Sequence, residues 1–403
     1  MLPDRARGFL AIFVLVLAAA PASALEFEYD GFTDFRLVAP DGERSWLDGG
    51  LGKLRYGEGD SNFQFAGAAG QGAVLFTPEF MAVGVLRADP SQSTFVMPME
   101  AYLRYRPVST TPWRWSVKAG AFFPPFSLEN SEVGWTSYWT LTPSAINSWF
   151  GDELRTIGGE GTLEWRLGEG TLSLTAAVFG WNDPAGVMIA DRGWAMDDRP
   201  TALFEDLREP DATLIFFHKP SPDTTQIFGE FDDRAGWYGG ADWSDSSQWK
   251  LQLYRYDNEA DPAAHENDYF AWHTAFWDAG LSKTWGEFTA LAQGVAGTTI
   301  ITPLPHFSSV TNFDSAYGLF GWERGEWRLA TRADVFRTHT GGDSFLSENG
   351  YALTAAATWL PKDWLRITAE LLYIDSTRDE RDVEGLAPDQ AATQAQLSFR
   401  FYL

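Results

Sequence analysis

The last nine residues of the chain, AQLSFRFYL at 395–403, alternate strictly between two kinds of side chain. Leucine or phenylalanine occupies every odd position from 397 to 403, and glutamine, serine, arginine or tyrosine every even one. A period of two is typical of a β-strand with one apolar and one polar face. Runs of this kind, about ten residues long, recur after residue 25 without useful helical periodicity. The sequence therefore predicts an all-β fold.

Short turns join many of these runs into hairpins, and aromatic residues lie at the turn edges. Five turns are flanked by Tyr105 and Trp113, Trp243 and Trp249, Trp285 and Phe288, Trp322 and Trp327, and Trp359 and Trp364. Indole and phenol rings favour the level at which lipid headgroups meet hydrocarbon, so this row predicts an interfacial girdle. A water-soluble β-sandwich or propeller, the alternative, would bury its aromatic residues in the middle of strands. We therefore expect a transmembrane antiparallel β-barrel with short periplasmic turns and long extracellular loops.

The first 24 residues have the three parts of a secretory signal peptide. Arg5 and Arg7 precede an apolar run from Phe9 to Ala20, and an Ala-Ser-Ala sequence follows at 22–24. Twelve apolar residues are too few to span a bilayer as a helix, which disfavours an N-terminal membrane anchor. We expect cleavage after Ala24, with residues 25–403 as a single outer-membrane barrel domain.

Charge and cysteine content exclude several classes of function. A formal net charge of −25 opposes a nucleic-acid partner, because phosphates require a basic surface. The absence of cysteine excludes a lipoprotein anchor, a disulfide framework and thiolate chemistry. Acidic clusters at 257–268, 379–389 and 191–211 offer oxygen ligands for divalent cations that would bridge to lipopolysaccharide. No spaced calcium-loop motif is present, so we expect solvated loops, no metal site and no cofactor.

The chain end also bears on how such a sheet closes. An open sheet edge cannot exist in lipid, so the last strand has to pair with the first. At this point the chain resembles the Gram-negative outer-membrane porins, in which a C-terminal strand with a final aromatic residue is the assembly signal. The sequence FRFYL resembles that signal, with Leu403 in place of the usual phenylalanine. Residues 116–130, SVKAGAFFPPFSLEN, resemble more loosely the strand that leads into the constriction loop of phosphate-selective porins.

The resemblance implies a location and several partners. It implies the bacterial outer membrane, with contacts to its lipids and lipopolysaccharide. It also implies recognition of the C-terminal strand by the outer-membrane assembly machinery, a homotrimer, and passage of small hydrophilic solutes or ions.

Counting back from the C-terminus gives about sixteen strands. We expect them near 46–57, 63–76, 81–88, 95–106, 113–123, 157–167, 170–181, 236–243, 248–256, 270–284, 286–298, 313–323, 326–337, 350–360, 364–376 and 391–403. Residues 25–45, which include the strand-like FEYDGFTDFRLV at 27–38, are a lead-in or first strand. An eighteen-stranded alternative would count 27–38 and place further strands at ATLIFF and TQIFGEF within 182–235. The long external connections are expected at 124–156, 182–235, 257–269, 299–312, 338–349 and 377–391.

A barrel of this size encloses a water-filled lumen, so the leading interpretation is a porin that lets small hydrophilic solutes diffuse. The loop 124–156 is predicted to fold inward as the constriction, because a loop rich in tryptophan needs apolar cover. The alternative is a loop that packs outward against neighbouring subunits. If the loop folds inward, the residues expected to line the constriction are Glu129, Glu132, Trp135, Tyr138, Trp139, Trp149, Asp152 and Glu153.

Basic residues dominate the lumen phase of the predicted strands near the periplasmic turns. The expected pore-lining residues are Arg104, Arg106, Arg114, Lys118, Arg166, Lys250, Arg328, Arg332, Arg366 and Arg400, with the carboxylates Glu100, Glu164, Asp334 and Glu370. A ring of positive charge favours anions, which predicts a modest anion preference. The alternative is that these arginines pair with neighbouring carboxylates and hold the wall rigid.

Two other classes of function remain as alternatives. An outer-membrane hydrolase needs a Ser/His or Asp/His pair within hydrogen-bond reach, and of the five histidines only His273 lies within a predicted strand. Thr274 and Asp278 are near it in sequence without forming a motif, so we expect no enzyme. The last alternative is a structural or adhesin barrel with a plugged lumen, which would conduct no ions.

Overall fold

The computed structural model describes residues 25–212, 224–267, 269–342 and 346–403, and the expected signal peptide lies outside them. Sixteen antiparallel strands form one closed barrel, as the sequence predicts. The barrel strands are β1 Glu26–Asp41, β2 Asn62–Leu75, β3 Phe80–Ala88, β4 Val96–Tyr105, β5 Trp113–Phe122, β6 Thr156–Leu167, β7 Gly170–Gly180, β10 Gly236–Asp245, β11 Trp249–Asp257, β14 His273–Trp285, β15 Phe288–Leu304, β16 Phe307–Arg324, β17 Trp327–Gly342, β18 Ser347–Lys362, β19 Leu365–Arg378 and β20 Asp389–Tyr402. Four short strands lie in the loops, namely β8 Asp206–Arg208, β9 Thr224–Gln226, β12 His265–Glu266 and β13 Tyr269–Phe270.

The first and last strands close the barrel. β20 pairs antiparallel with β1, with Phe399 opposite Phe35 and Arg400 opposite Asp34. Leu403 extends the ladder by donating its N–H to the carbonyl oxygen of Gly31 at 3.0 Å. β20 therefore supplies the backbone partner that β1 needs in lipid.

The two ends of the barrel differ. At one end, here called the turn end, short turns join the strands, and Gly286 and Gly325 adopt a φ of 59° that side chains disfavour. Aromatic residues flank these turns, and Trp327 and Trp364 are exposed on the outer wall. At the loop end the connections are longer. The strands between the two ends form the barrel wall. In β17, for example, outward-facing exposed residues alternate with inward-facing buried ones along nearly the whole strand.

One predicted strand is wrong, and another segment takes its place. Residues 46–57 form no barrel strand. They begin with a 3₁₀-helix at Trp46–Asp48, and their isolated bridges join Gly52 to Ser45 and Leu54 to Met196. Their glycines weaken a strand, while Lys53 and Arg55 find buried partners inside the barrel. The segment 27–38 is part of β1, so the barrel has sixteen strands and not eighteen.

Two candidates of the eighteen-stranded alternative and one predicted loop differ from expectation. Most of ATLIFF lies outside the described residues, and the start of TQIFGEF belongs to β9, which pairs with β8 outside the barrel. The predicted long connection 299–312 is wrong, since β15 and β16 continue through it and turn at 305–306. The threonines and isoleucines of 299–312 favour a β-strand, and the polar residues near the middle of this segment do not terminate the two strands.

Three loops enter the barrel and fill its loop half. They are residues 42–61, 123–155 and 181–212, here called the plug. The plug contains two helices, Ala145–Glu153 and Val187–Asp191. Trp149 and Trp194 are fully buried at its centre and contact each other with ring centroids 5.8 Å apart. Among the described residues no helix is long and apolar enough to cross a membrane.

Candidate functional site

The helix Ala145–Glu153 is part of the predicted constriction loop, and all its residues are buried. Ser144 caps it, because its hydroxyl accepts a hydrogen bond from the N–H of Asn147. Asp334 on β17 accepts a further one from the N–H of Ala145 at 3.2 Å. A carboxylate at a helix N-terminus is favourable, so the wall itself positions this helix.

Wall residues from β17 and β19 hold the loop that precedes the helix. Arg332 donates to Glu129 at 2.6 Å and to Asp334 at 2.8 Å. Glu370 accepts from the N–H of Leu141 at 2.6 Å. All of these side chains are buried. They therefore line the plug rather than open water, although their positions along the strands point into the barrel.

Phe126 attaches the same loop to the opposite wall. Its ring contacts those of Tyr238, Tyr254 and Phe276, with centroids 5.2, 5.2 and 5.8 Å away. Phe126 is fully buried. The loop thus spans the lumen from β17–β19 to β10–β14, with ionic contacts on one side and aromatic contacts on the other.

The second arm of the plug, residues 181–212, is held by arginines. Asp198 accepts from Arg36 of β1 at 2.5 Å and from Arg55 at 3.0 Å, and its carbonyl oxygen accepts from Arg87 of β3 at 2.7 Å. Burial alone would raise the pKa of Asp198, but these three guanidinium groups hold it far below the usual range. Burial likewise acts to raise the pKa of Asp89, yet Arg55 and Arg87 lower it to about 2.

A third attachment joins the plug to β18. Glu348 pairs with Lys53 and with Arg378, and it accepts from the N–H of Trp194 at 3.0 Å. Burial lowers the pKa of Lys53 to about 7, against the opposing effect of Glu348. The plug is therefore fixed to β1, β3, β10, β11, β14 and β17–β19 by these three attachments and the Phe126 contacts.

Asp152 and Glu153, at the end of the helix Ala145–Glu153, bind groups inside the plug. Asp152 accepts from Arg192 at 2.9 Å, and burial, with Asp197 nearby, raises its pKa well above the ordinary value. Glu153 accepts from the N–H groups of Gly186 and Met188 and from the indole of Trp149. Burial raises its pKa as well. Both groups are enclosed in the packed plug, away from the lumen water.

The remaining loop residues lie nearer the turn end. Glu132 pairs with Arg366 at 2.7 Å, and the hydroxyl of Tyr138 donates to Glu323 at 2.7 Å. Trp135 stacks on Phe123 with centroids 4.2 Å apart, and the ring of Trp139 lies beside that of Tyr138.

Most of the predicted pore-lining cations are paired with carboxylates. The pairs and shortest distances are Arg106 and Glu164 3.1 Å, Arg114 and Glu164 3.6 Å, Lys118 and Glu160 2.9 Å, Arg328 and Glu323 3.2 Å, Arg332 and Glu129 2.6 Å, Arg366 and Glu132 2.7 Å, and Arg400 and Asp34 2.9 Å. Within the described part of the chain, Arg104, Arg166 and Lys250 have no ion pair. Whether any of these residues lines a conducting path stays a prediction.

The turn half of the lumen holds a cavity of about 700 Å³, here called the chamber. It runs from Asp363 and Leu403 at the turn end to Glu100, in the middle of β4. Phe123 lies at its inner limit and also belongs to a small apolar cluster with Val85, Met97, Met99 and Ala202, here called the seal.

Sequence reasoning missed several residues that shape this interior. Arg36 lies in the inward phase of β1, a segment that the sequence predicts only as a lead-in or first strand. Arg55, Phe126 and Asp198 lie in irregular segments, where no periodicity tells inward from outward. Only the clustering of charged residues inside long loops was available as a signal.

Two histidine contacts bear on the hydrolase alternative. His273 contacts Asp257 at 3.0 Å, and His339 contacts the hydroxyl of Ser347 at 3.1 Å. His339 is exposed on the outer wall near the loop end. Among the residues that the structure describes, neither histidine ring has a further hydrogen-bond partner that would orient it. A catalytic triad requires such a group.

Asp183, Glu230 and Asp232 are the one described group of side chains whose ligand atoms lie close enough for a metal, within 4.8 Å of one another. Burial raises the pKa of Asp183 to about 7, and Glu230 and Asp232 add to the effect. Carboxylate clusters of this kind also occur without an ion, so the absence of a metal site stays a prediction.

Comparison with known proteins shows the fold. No protein-family model matches the sequence, and no curated protein matches it. The outer membrane channel DcaP of Acinetobacter baumannii has a similar structure, with a TM-score of 0.55, 10% identity and coverage of 95% of this chain and 99% of that one. Salmonella typhi OmpF in complex with daunomycin gives 0.53, 11% identity, and 94% and 97% coverage. The chain has a porin-like fold. A loop L8 deletion mutant of OmpT, an outer membrane protein of Vibrio cholerae, gives 0.53, 10% identity, and 94% and 100% coverage.

Proposed function

We propose that the protein is an outer-membrane channel for small hydrophilic solutes whose passage is closed by the plug in this conformation. The chamber is the observation that carries the proposal. It is a polar cavity of about 700 Å³ that starts at the turn end and stops at the seal in mid-barrel. The apolar side chains of the seal close its inner end, and an apolar constriction of this kind can act as a hydrophobic gate.

A permanently plugged barrel is the second candidate. The buried ion pairs between Asp198, Arg36 and Arg55 favour it, because removal of one partner from a buried pair costs about 3–5 kcal/mol. For conduction the plug does not have to leave the barrel. Movement of the short segment around Ala202, away from Met97 and Met99, would open the seal and extend the chamber towards the loop half.

Flux measurements distinguish the two candidates. Protein refolded into liposomes is expected to pass small sugars slowly, and Met99→Ala, which trims the seal, is expected to raise the flux several-fold. Met81→Ala is the matched control, because Met81 lies on β3 at the turn end, outside the seal. Vesicles that stay tight with both native protein and Met99→Ala, while circular dichroism shows the barrel, would establish a plugged barrel instead.

A modest anion preference is part of the same proposal, and it now rests on three residues. Arg104, Arg166 and Lys250 keep an uncompensated charge near the turn end, whereas the other basic residues support the alternative of a rigid, ion-paired wall. The test is the reversal potential in a KCl gradient for native protein and Arg104→Glu. An unchanged reversal potential would remove this residue from the conducting path.

The chain is not proposed to be an enzyme. A hydrolase with a serine nucleophile would have to use Ser347 with His339, the described serine and histidine that are in contact. A fluorophosphonate probe is expected to leave Ser347 unlabelled. Labelling that is lost in His339→Ala would favour the hydrolase.

We further propose a homotrimer in the bacterial outer membrane. OmpT of Vibrio cholerae is described in a trimer form. In this chain, β1 to β3 offer a suitable outer face, because a side chain at Gly70 or Gly72 would meet only open space beside the exposed rings of Phe27 and Tyr29. Small residues let walls approach closely in lipid. The test is the mass of the detergent-solubilised protein by light scattering, with three chains expected.

Export and membrane insertion complete the proposal. The signal peptide is cleaved after Ala24, and the C-terminal strand is recognised by the assembly machinery. The apolar outer wall contacts outer-membrane lipids and lipopolysaccharide. The likeness of residues 116–130 to phosphate-selective porins is supported by β5, which ends at Phe122 where the chain turns into the lumen. The mass of the mature N-terminus tests the cleavage site.

A further inference from the structure

Four arginines follow one another along the inward side of β4, β5 and β6 near the turn end, and they are here called the arginine row. The row consists of Arg104, Arg106, Arg114 and Arg166. Arg106 and Arg114 contact the same carboxylate, Glu164, at 3.1 and 3.6 Å, and Glu164 lies opposite Arg114 in the pairing of β5 with β6. Arg104 is two residues from Arg106, and Arg166 is two residues from Glu164. Two residues of a strand span about 6.6 Å, so the row crosses the wall in steps of similar length.

The wall around the arginine row is positively charged. Its inward face on β4–β6, counted with Arg106, has five basic residues and three carboxylates, which leaves two positive charges. They are Arg104, Arg106, Arg114, Lys118 and Arg166, with Glu100, Glu160 and Glu164. Glu160 pairs with Lys118 at 2.9 Å. Among the described residues, Arg104 and Arg166 form neither an ion pair nor a side-chain hydrogen bond.

The arginine row is open to solvent while the plug is in place. The side chains of Arg106 and Arg114 are 36% and 30% exposed, Arg166 is exposed, and Arg104 is half-buried. Arg166 is the last-but-one residue of β6, at the turn end itself. Arg104, at the other end of the row, lies opposite Lys118, which lines the chamber. A ligand that enters from the turn end therefore reaches the row without any movement of the plug.

Glu164 shows which chemical group the arginine row binds. Its carboxylate is shared by guanidinium groups from two different segments, and guanidinium groups form strong, directional hydrogen bonds with carboxylates. An ion pair that is partly exposed contributes little to stability, so an incoming carboxylate can replace Glu164 at little cost. Arg104 and Arg166 then remain free to bind further carboxylates on either side of it.

The steps of the arginine row match the spacing of side chains in an extended peptide. Alternate residues of an extended chain point the same way and lie about 6.6 Å apart. That distance is shorter than the Debye length of roughly 8 Å at physiological salt, so neighbouring arginines reinforce one another's attraction for a chain of carboxylates. On the next strand, β7, Thr171 lies opposite Arg166 and Ser173 opposite Glu164. Their hydroxyl groups add uncharged donors beside the row for the carbonyl groups of a peptide.

We infer that the arginine row binds an acidic, extended segment of another protein that enters the barrel from the turn end. Carboxylates at alternate positions of the segment meet Arg166, Arg104 and the two arginines that hold Glu164. The site does not depend on conduction, because the row is open in the closed barrel. The inference rests on the proposed function only for the orientation of the barrel, in which the turn end faces the periplasm and the partner is a periplasmic protein.

Calorimetry on the folded full-length mature protein in a neutral detergent tests this inference. The probe is a capped peptide of four Glu-Ser repeats, and the comparison is a peptide of the same composition in which all the glutamates precede all the serines. We expect the alternating peptide to bind several-fold more tightly than its isomer, because only its carboxylates share one side of an extended chain. The same repeats at the C-terminus of a folded carrier protein are expected to bind like the free peptide, since the row begins at the rim of the barrel.

Substitutions in the arginine row and beside it give effects of opposite sign. Arg104→Gln and Arg166→Gln are each expected to weaken binding of the alternating peptide about 10-fold, the loss typical of one charge-assisted hydrogen bond. Glu164→Gln is expected to tighten binding several-fold, because it removes the internal competitor for the row. Lys362→Gln, exposed at the turn end outside the row, changes the net charge equally and should bind like native protein. Circular dichroism verifies the barrel for each variant.

Five outcomes would overturn the inference. They are equal binding of the two peptide isomers, native-like binding by both arginine variants, weaker binding by Glu164→Gln, an equal loss in Lys362→Gln, which would indicate attraction by surface charge only, and binding of the free peptide without the carrier fusion, which would assign the row to a solute. Flux is measured separately in liposomes. Peptide binding without any solute flux would contradict the proposed channel and leave the binding site standing, whereas flux without peptide binding would do the reverse.

Discussion

At the scale of single residues, buried charge is arranged to hold loops inside a barrel. Asp198 is the clearest case, because the guanidinium groups that reach its side chain come from β1 and from the loop 42–61. A guanidinium left alone in the interior has lost its water and gained nothing in return. Asp198 is therefore one of the carboxylates that position the second plug arm, together with Glu348 at the N–H of Trp194.

Asp198→Asn is expected to loosen residues 181–212 without opening the barrel. The amide removes one of the two carboxylates that offset each guanidinium. Arg36 keeps Asp34 and Arg55 keeps Asp89, so the attachment should lose less than the cost of a fully unpaired buried charge, about 3–5 kcal/mol. Limited trypsin digestion of the folded protein checks this, since cleavage after Arg192 and Arg199 should become faster. Asp48→Asn, exposed in the same plug, should be cleaved like native protein. Equal cleavage of all three proteins would show that Asp198 is not the attachment.

The charge state of Asp198 also predicts how the attachment responds to pH. Its pKa is lowered on folding by Arg36, Arg55 and Arg87, against the effect of burial. Its stabilisation is therefore complete above the unfolded value of about 4 and is lost only as the pH falls towards the lower folded value. The plug should stay attached through the neutral range.

Asp183 has the opposite pH dependence. Its pKa is raised to about 7, chiefly by burial and further by Glu230 and Asp232. The folded state then binds more protons than the unfolded state between about pH 4 and pH 7, so this group lowers stability as the pH rises through that window. Asp183→Asn should therefore melt above native protein at pH 8 and show a smaller gain at pH 5. A gain that is independent of pH would contradict the shifted pKa.

At the scale of elements, the alternation of apolar and polar residues predicts most of the strands, but it does not predict which segment pairs with the last strand. The hairpins from β14 to β20 were found because their outward residues are apolar and their turns are short. The first strand was misplaced because 27–38 and 46–57 both carry mixed residues, and only the pairing of Phe35 with Phe399 decides between them. Such pairing joins the two ends of the chain, and no local pattern contains it.

The closing pair of strands gives a prediction at this scale. Deletion of residues 399–403 should abolish insertion, because β1 would expose unpaired backbone groups between Phe32 and Phe35 to lipid at several kcal/mol each. Membrane fractionation with heat-modifiable gel mobility is the measurement. Leu403→Phe keeps the strand and should insert at least as well as native protein. Normal insertion of the shortened chain would show that β20 does not close the barrel.

At the scale of the whole molecule, the sequence predicts the barrel but not what fills its lumen. Period-two patterns predict which side chains of a strand point inward, and Arg332 on β17 and Glu370 on β19 contact the plug in the structure. They do not tell whether water or protein fills the inside. That depends on contacts such as Phe126 with Tyr254 or Arg332 with Glu129, between residues far apart in sequence. The open lumen expected from strand number alone is therefore replaced by a chamber below a plug.

A disulfide across the seal tests whether this plug moves. The chain has no cysteine, so Met99→Cys with Ala202→Cys introduces one pair only, between residues that share the seal. If solutes pass where the segment around Ala202 leaves Met99, the oxidised double variant should conduct less than native protein in planar bilayers, and a reductant should restore the current. Each single variant should be insensitive to reductant. Equal current before and after reduction, with the disulfide verified by mass, would mean that solutes take another route or that the barrel stays closed.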